Sequence, residues 1–389
     1  MTADTLVRPA SRLDRLGFSD IVKIRNRVMV LKLKGETVLQ LEGGEPFMPT
    51  PEFIKAAMKK ALDDDQTRYA PSSGVVPLLE ANGAKLTEHN DLEVSERNLI
   101  VTNGGMHALF CAFQETLDPG DEIIFFSPYW TPIKDLVTFA EGVPVRIPWE
   151  EIRSLGDLTD SLRRRLSLRS RAIYVNTPSN PTGDVLSREQ LQSIARFAIE
   201  NNLVVISDEA YEDLVYAGQH VSIGSLPGMF SRTLSVFTLS KTFAMTGWRV
   251  GYIAADLPWM DGLRKLALNT VNGVSTPTQF AAAAAISDRS DYRVRMREGY
   301  LERREILVAA AQEAGFCCST PRGAFYLFAN VRERLGSDSW KAMETLLERT
   351  RIASVPGSVF GPEGEGYLRM SFSTSIAVLE AAAAALSRL

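Results

Sequence analysis

Short apolar runs alternate with helical patterns through the middle of the chain. Six of these runs have the length and composition of buried strands: Leu99–Thr102, Glu122–Phe126, Ala172–Asn176, Leu203–Ser207, Ser235–Leu239 and Val250–Ala254. Almost continuously apolar strands separated by helices are typical of a mostly parallel sheet that is covered on both faces. The pattern therefore predicts an α/β domain.

The pattern changes after the apolar, small-residue segment Phe280–Ile286. The charged segment Asp291–Arg304 predicts a long solvated helix, and a second domain is expected from there. This domain is expected to contain Phe325–Val331, a helix around Trp340–Arg349, Tyr367–Ser373 and an N-terminal helix near Asp20–Lys34. The predicted division is residues 45–286 for a large domain and residues 1–44 with 287–389 for a small one.

Two helix starts can be read from capping residues. Thr50 precedes Pro51, which is favoured at the first helical position. Ser187 is followed three residues later by Gln190, which is the spacing of a capping box. We therefore predict helices that begin after Thr50 and after Ser187.

Length and charge narrow the class of protein. A chain of 389 residues is long for one core, which agrees with two domains. The formal net charge of -4 provides no basic field for a nucleic-acid backbone, so we expect no nucleic-acid partner. Residues 1–20 lack the apolar core of a signal peptide, and no apolar run is long enough to span a membrane. We therefore expect a cytoplasmic protein with no membrane partner.

Cysteine and histidine usage predicts neither disulfides nor a metal site. The three cysteines are Cys111 and the adjacent pair Cys317 and Cys318, and adjacent cysteines rarely form an unstrained bridge. His89, His107 and His220 lack the spacing that zinc ligands need.

Three segments carry candidate chemistry. Asn103-Gly104-Gly105 links a strand to a helix, where free N–H groups can bind a phosphate; a tight turn without a ligand explains these glycines equally well. Asp208 and Tyr211 follow a strand at the edge where open α/β sheets bind ligands, although Asp208 could instead cap a helix.

Lys241 is the second residue of the third segment, Ser240–Tyr252. Its apolar neighbours should reduce its hydration and lower its pKa, which favours a nucleophilic amine over an ordinary surface lysine. Arg249, eight residues later, has the planar group that binds phosphate. The pattern indicates an amine and an anion site close together.

Over essentially its whole length the chain resembles the class I/II aminotransferases, which are pyridoxal 5'-phosphate (PLP) enzymes of fold type I. The resemblance rests on ten ordered motifs: Glu42–Pro46, Arg68–Gly74, Asn103–Leu109, Ser127–Trp130, Asn176–Gly183, Ser207–Tyr211, Ser240–Tyr252, Gly323–Tyr326, Val355–Gly361 and Leu368–Ser373. It implies a seven-stranded, mostly parallel sheet in a large α/β domain, a smaller α+β domain, and PLP as cofactor.

The resemblance also implies a role for each matching residue. Lys241 forms the Schiff base with PLP, Asp208 pairs with the ring nitrogen, Tyr211 and Asn180 bind the ring oxygen, and Trp130 stacks on the ring. The implied phosphate ligands are Gly105, Met106, Thr238, Ser240, Arg249 and, from a second subunit of a homodimer, Tyr69. Arg369 would bind the substrate α-carboxylate, with Gly44 and Asn180 nearby. Family members commonly have Ser where this chain has Thr238.

The implied reaction transfers an amino group from an L-amino acid to a 2-oxo acid by a ping-pong mechanism. Two alternatives are a carbon–sulfur β-lyase on the same scaffold and the PLP-binding domain of a transcription regulator, for which residues 1–41 are too short and too mixed in charge. Aspartate aminotransferase activity also remains open as the specific activity.

Met106 bears on the choice of substrate. Bacterial aspartate-type members often have Gly-Gly-Lys-Gln-Ala-Leu where this chain has Gly-Gly-Met-His-Ala-Leu, and the thioether of Met106 cannot neutralise a second carboxylate. A neutral or aromatic donor is therefore expected, unless Arg25, Arg27 or Arg322 supplies the charge.

Overall fold

The computed structural model describes residues 10–18 and 20–389. Its helices are α1 Asp20–Leu33, α2 Glu52–Asp63, α3 Val76–Asn90, α4 Gly104–Thr116, α5 Pro132–Phe139, α6 Trp149–Ile152, α7 Thr159–Arg163, α8 Arg188–Glu200, α9 Leu257–Thr270, α10 Thr276–Ile286, α11 Tyr292–Glu313, α12 Arg332–Leu335, α13 Ser339–Thr350 and α14 Ile376–Leu386. Its strands are β1 Leu39–Gln40, β2 Leu99–Thr102, β3 Glu122–Ser127, β4 Val143–Pro148, β5 Ser170–Asn176, β6 Val204–Asp208, β7 Thr233–Thr238, β8 Gly251–Ala254, β9 Tyr326–Asn330, β10 Ile352–Ala353, β11 Val355–Pro356 and β12 Tyr367–Ser371.

A seven-stranded sheet in the order β2-β8-β7-β6-β5-β3-β4 forms the centre of the fold. β3, β4, β5, β6 and β7 pair in parallel, whereas β8 is antiparallel to both β2 and β7. The carboxyl ends of β2, β3, β5, β6 and β7 therefore meet at one edge, where β8 begins. The α/β prediction and its mostly parallel sheet are confirmed.

Helices cover both faces of this sheet because its strands are apolar on both sides. In β6, Val204 and Ile206 pack in one core cluster with residues of α4, α5 and α9. Val205 points to the opposite face and packs in a second cluster with residues of α7 and α8. Residues of α2, α3 and α10 form a third cluster. Because successive side chains of β6 are buried in different clusters, a shift of the strand by one residue would move each of them to the wrong face of the sheet.

A further core cluster joins α1 to the carboxyl-terminal part of the chain. Ile24 and Val28 of α1 are buried with residues of α11, α13 and α14. The same cluster covers a three-stranded antiparallel sheet in the order β11-β12-β9, and β1 pairs in parallel with β10. This arrangement supports the proposed small domain, whose boundaries stay a prediction. Residues 1–9 and 19 of that domain lie outside the described residues.

The two capping predictions have different outcomes. Ser187 and Gln190 form the reciprocal hydrogen bonds of a capping box, as predicted. The prediction for Thr50 is wrong by one residue, because α2 begins at Glu52 and Pro51 occupies the N-cap position. The Thr50 hydroxyl instead donates to the Ala244 carbonyl at 2.5 Å, which ties the start of α2 to the segment after Lys241.

Within the described residues, no helix combines the length and the apolar character needed to cross a membrane. The cytoplasmic location stays a prediction.

Candidate active site

The ends of the strands and the turns after them gather the predicted site residues in one cleft of about 650 Å³. Every predicted cofactor or substrate residue except Tyr69 lines it: Gly44, Gly105, Met106, Trp130, Asn180, Asp208, Tyr211, Thr238, Ser240, Lys241, Arg249 and Arg369. Tyr69 is 89% exposed and lies in a surface groove with Arg68 and Asn272. One chain therefore brings together all but one of these residues.

Lys241 is enclosed at the end of β7. Its Nζ donates to the Gly44 carbonyl at 2.8 Å, across 197 residues of sequence. Burial lowers the pKa of Lys241 to about 8, and the charges of Arg369 and Arg249 act in the same direction. About a tenth of the amine is therefore uncharged at pH 7, far more than for an exposed lysine, and can attack an aldehyde or accept a proton.

Asp208 ends β6 and is almost completely buried. Its Oδ2 accepts a hydrogen bond from the Tyr174 hydroxyl at 2.7 Å, and its Oδ1 accepts one from the Ala210 N–H at 3.2 Å. Burial raises the pKa of Asp208 to about 6, although the Tyr174 hydrogen bond opposes this shift. A carboxylate held with so little solvation favours a cationic partner, such as a protonated ring nitrogen.

Arg369 belongs to β12 of the three-stranded sheet rather than to the seven-stranded sheet, and its side chain lines the cleft. Its Nη1 donates to Asn180 Oδ1 at 3.0 Å, and its Nη2 donates to the Glu42 carbonyl at 2.9 Å. The guanidinium lies 4.3 Å from the centre of the Tyr326 ring. Its Nε is buried and has no hydrogen-bond partner among the residues that the structure describes, so a donor remains for a bound anion.

The glycine turn after β2 and the start of β8 form an anion cradle. Gly104 has φ +77°, and a Cβ there would lie 2.7 Å from Arg249 Nη2, so the guanidinium packs directly on the turn. Arg249 itself adopts φ +54°, in the left-handed region that a side chain rarely enters and that is costly unless its surroundings hold it. The Thr238 hydroxyl donates to the Ser240 hydroxyl at 3.0 Å beside the amino end of α4. These groups suit a phosphate.

Tyr211 and Asn180 face the same cleft but have protein partners. The Tyr211 hydroxyl lies 2.9 Å from the Tyr326 hydroxyl, and either group can donate. The Asn180 amide oxygen accepts the Arg369 hydrogen bond described above. The predicted contacts of both residues with a ring oxygen stay a prediction.

Several residues of the site were not predicted. Tyr174 and Tyr326 make direct contacts with Asp208, Tyr211 and Arg369. Tyr174 was detectable as a polar group in an apolar strand, next to the strand that ends at Asp208. Tyr326 belongs to a recognised motif, but nothing in that motif shows its distant partner.

A buried polar network directly after Asp208 was also not predicted. Glu209 accepts a hydrogen bond from His220 Nε2 at 2.7 Å, and this interaction raises the pKa of His220 against the opposing effect of burial. Glu212 pairs with Lys85 at 2.5 Å and accepts from Asn90 at 2.8 Å. Glu209, Glu212 and His220 have ligand-type atoms within 4.8 Å of one another. Lys85 already provides positive charge to Glu212, so the network is balanced internally.

A half-buried amine, a buried carboxylate and an anion cradle at the edge of a mostly parallel sheet define the class of PLP-dependent enzymes of fold type I. Residues 36–386 match the family described as aminotransferase class I and II, and the chain belongs to that family. Members of this family use PLP, and the chain is an aminotransferase.

Relatives and solved structures agree with this assignment. The chain is 36% identical over 377 residues to the aspartate aminotransferase of Pyrococcus abyssi, with 96% of each sequence covered. It is 35% identical to aromatic-amino-acid aminotransferase 2 of Thermococcus litoralis, again with 96% of each covered. The structure of the Thermus thermophilus aspartate aminotransferase with maleate superposes with a TM-score of 0.93 at 34% identity, and covers 98% of this chain and 100% of the other.

Proposed function

We propose that the chain binds PLP covalently through Lys241 and transfers an amino group from a neutral or aromatic L-amino acid to a 2-oxo acid. The observation that carries this proposal is the enclosed amine of Lys241, with its pKa lowered to about 8, in one cleft with Asp208 and Arg369. Bound PLP supplies an aldehyde that reacts with amines and a ring that accepts the electrons released at the substrate Cα.

The phosphate is assigned to the cradle beside α4. The N–H groups of Gly105 and Met106, the hydroxyls of Thr238 and Ser240, and the guanidinium of Arg249 are its proposed ligands. Of these, the side chains of Thr238, Ser240 and Arg249 line the cleft. The positive end of α4 and the guanidinium favour a doubly charged anion there. Trp130 lines the same cleft and is proposed to stack on the ring.

Three residues are assigned to the chemistry. Lys241, once its amine is free, would take the proton that leaves the substrate Cα and deliver it to the C4' carbon of the cofactor, a role that suits an amine with a pKa near 8. Asp208 keeps the ring nitrogen protonated. Arg369, fixed by Asn180 and the Glu42 carbonyl, binds the α-carboxylate and orients the Cα–H bond toward Lys241. Tyr211 is proposed to bind the ring oxygen.

The preference of the enzyme for a neutral amino donor is inferred from the side chains that line the wall of the cleft. Met106 and Leu109 of α4 and Ile21 of α1 line it, and none can neutralise a carboxylate, so a second carboxylate depends on Arg25, further along α1 in the same cleft. Burying an unpaired second carboxylate against such groups costs several kcal/mol. The relatives are named for aspartate and for aromatic amino acids, so the wall of this chain supports the aromatic or neutral choice.

An assay of the purified protein with a panel of amino acids and a 2-oxo acid acceptor tests the function. We expect stoichiometric conversion of the acceptor to its amino acid. Release of pyruvate and ammonia without an acceptor would instead indicate the β-lyase, which the relatives do not favour.

The same assay tests the substrate preference. We expect phenylalanine, leucine, methionine or alanine to exceed aspartate in kcat/KM, and Met106→Lys to shift the ratio toward aspartate, with Met106→Leu as the matched control. If aspartate exceeds these donors by about tenfold or more in the unmodified protein, the inference from Met106 is wrong.

A further inference from the structure

Four cationic side chains line the cleft, and three of them have proposed partners. Lys241 is assigned to the cofactor aldehyde, Arg249 to the phosphate and Arg369 to the α-carboxylate. Arg25 remains. It is exposed, and it makes no salt bridge with any carboxylate in residues 10–18 and 20–389. A cation without a partner in a substrate cleft is available to a substrate.

The position of Arg25 on α1 separates it from the other arginines that could supply a second charge. Arg25 lies one helical turn after Ile21, and both residues line the cleft. Arg27 faces a separate groove formed with Trp340 and Met343. Arg322 does not line the cleft.

Arg25 and Arg369 are electrostatic neighbours in this cleft. Burial lowers the pKa of Arg369, and the positive charge of Arg25 adds to that effect. Burial raises the pKa of Tyr326, whereas the charges of Arg369 and Arg25 lower it. Two guanidinium groups on different elements of one cleft match an acid with two carboxylates.

We propose that Arg25 is a specificity-determining residue that binds the distal carboxylate of a dicarboxylic 2-oxo acid, which is the amino acceptor. The inference rests on the proposed aminotransferase function. In a ping-pong reaction, donor and acceptor occupy the same cleft in turn. A neutral donor side chain packs on Ile21, Met106 and Leu109, and the acidic acceptor reaches Arg25 one turn further along α1. The amino acid formed from this acceptor keeps the distal carboxylate and binds Arg25 in the same way, so the proposed preference for a neutral donor is a preference over the shorter aspartate.

The carboxylates that share the cleft do not remove the charge of Arg25. Glu42 is almost completely buried, and its Oε1 accepts from Gln40 at 2.9 Å. Glu45 is exposed, and it makes no salt bridge within the part of the chain that the structure describes. Both also line a second groove with Arg25, but neither forms a salt bridge with it among the residues that the structure describes, so the Arg25 guanidinium has no direct carboxylate partner and can bind a distal carboxylate.

The test compares 2-oxoglutarate and pyruvate as acceptors, with the fastest neutral amino acid as donor. We expect Arg25→Met to lower the ratio of kcat/KM for 2-oxoglutarate to that for pyruvate by about tenfold or more, mainly through KM. Arg25→Lys should recover part of this ratio, because it keeps the charge without the planar group. Arg27→Met, on the other groove, is the matched control and should leave the ratio within about twofold.

An active enzyme whose acceptor ratio is unchanged in Arg25→Met would overturn the role of Arg25 and leave the proposed function intact. The same holds if Arg27→Met lowers the ratio as much, or if the unmodified protein uses pyruvate better than 2-oxoglutarate. If the unmodified protein transfers no amino group between any donor and either acceptor, the proposed function fails, and the inference fails with it.

Discussion

Lys241 and Asp208 have pKa values that burial shifts in opposite directions. The pKa of Lys241 falls to about 8, and that of Asp208 rises to about 6. Between these values the carboxylate is mostly ionised, and part of the amine population is neutral. The same desolvation therefore prepares a nucleophile and an anionic partner for a ring nitrogen in one cleft.

Asp208→Asn removes the negative charge and keeps the shape of the side chain. The ring nitrogen then loses the partner that keeps it protonated, so proton removal from the substrate should slow by about two to three orders of magnitude. This corresponds to roughly 3–4 kcal/mol of barrier at ~1.36 kcal/mol per decade. Single-turnover kinetics with saturating donor measure it. An unchanged rate would show that Asp208 only caps the turn through the Ala210 N–H.

Tyr174→Phe provides the matched comparison, because it leaves the charge and removes one hydrogen bond to Asp208. That hydrogen bond lowers the pKa of Asp208, so its loss should raise the pKa further. The carboxylate then becomes protonated at a higher pH as the solution is acidified. The acidic limb of the kcat profile should move to higher pH, whereas Asp208→Asn should be slow at every pH. A shift to lower pH would contradict this role.

The elements differ in how far local sequence predicts them. Six strands of the large sheet are apolar throughout, and each prediction agrees with the structure to within about two residues. The edge strand β4 was not predicted, because Pro144 and Pro148 break its pattern and its outer face is exposed. Proline is tolerated at an edge, where one side of the strand needs no partner.

The residues of the site also differ in how far the sequence predicts them. Lys241, Asp208 and the glycine turn follow strands, so their meeting at one sheet edge could be predicted from the strand order of an α/β domain. The contacts between Tyr211 and Tyr326 and between Lys241 and Gly44 join residues 115 and 197 positions apart. Such contacts depend on how segments that are distant in sequence pack together, which no local pattern contains. Arg369 was predicted through the family resemblance.

α3 is joined to the segment after β6 by the buried pair of Lys85 and Glu212. Lys85→Met should lower the free energy of unfolding by roughly 3–5 kcal/mol, because it leaves the buried Glu212 carboxylate without its cation. Chemical denaturation measures this change.

Two further variants test whether the unpaired charge of Glu212 causes this loss of stability. Lys85→Met combined with Glu212→Gln should recover most of the loss, and Lys59→Met, at an exposed salt bridge, should cost less than about 1 kcal/mol. A double variant no more stable than Lys85→Met would show that the charge of Glu212 is not the cause.

Among the predicted phosphate ligands, Tyr69 alone lies outside the cleft of its own chain, in a surface groove. We propose that Tyr69 of each subunit completes the phosphate site of the other, so the active form must be at least a dimer. Lys241→Ala and Tyr69→Ala subunits should each be impaired alone and regain activity when mixed, since a mixed dimer contains one site with both native residues. Full activity of a monomer, shown by light scattering, would contradict the shared site.

Chemical trapping tests whether PLP is attached covalently to Lys241. The protein is loaded with PLP, reduced with borohydride, digested and analysed by peptide mass spectrometry, with Lys241→Ala treated in parallel. We predict that the cofactor is found on Lys241 alone, and that Lys241→Ala loses both the adduct and turnover while it can still bind PLP through the phosphate. An adduct on a different lysine, or normal turnover by Lys241→Ala, would show that Lys241 does not hold the cofactor.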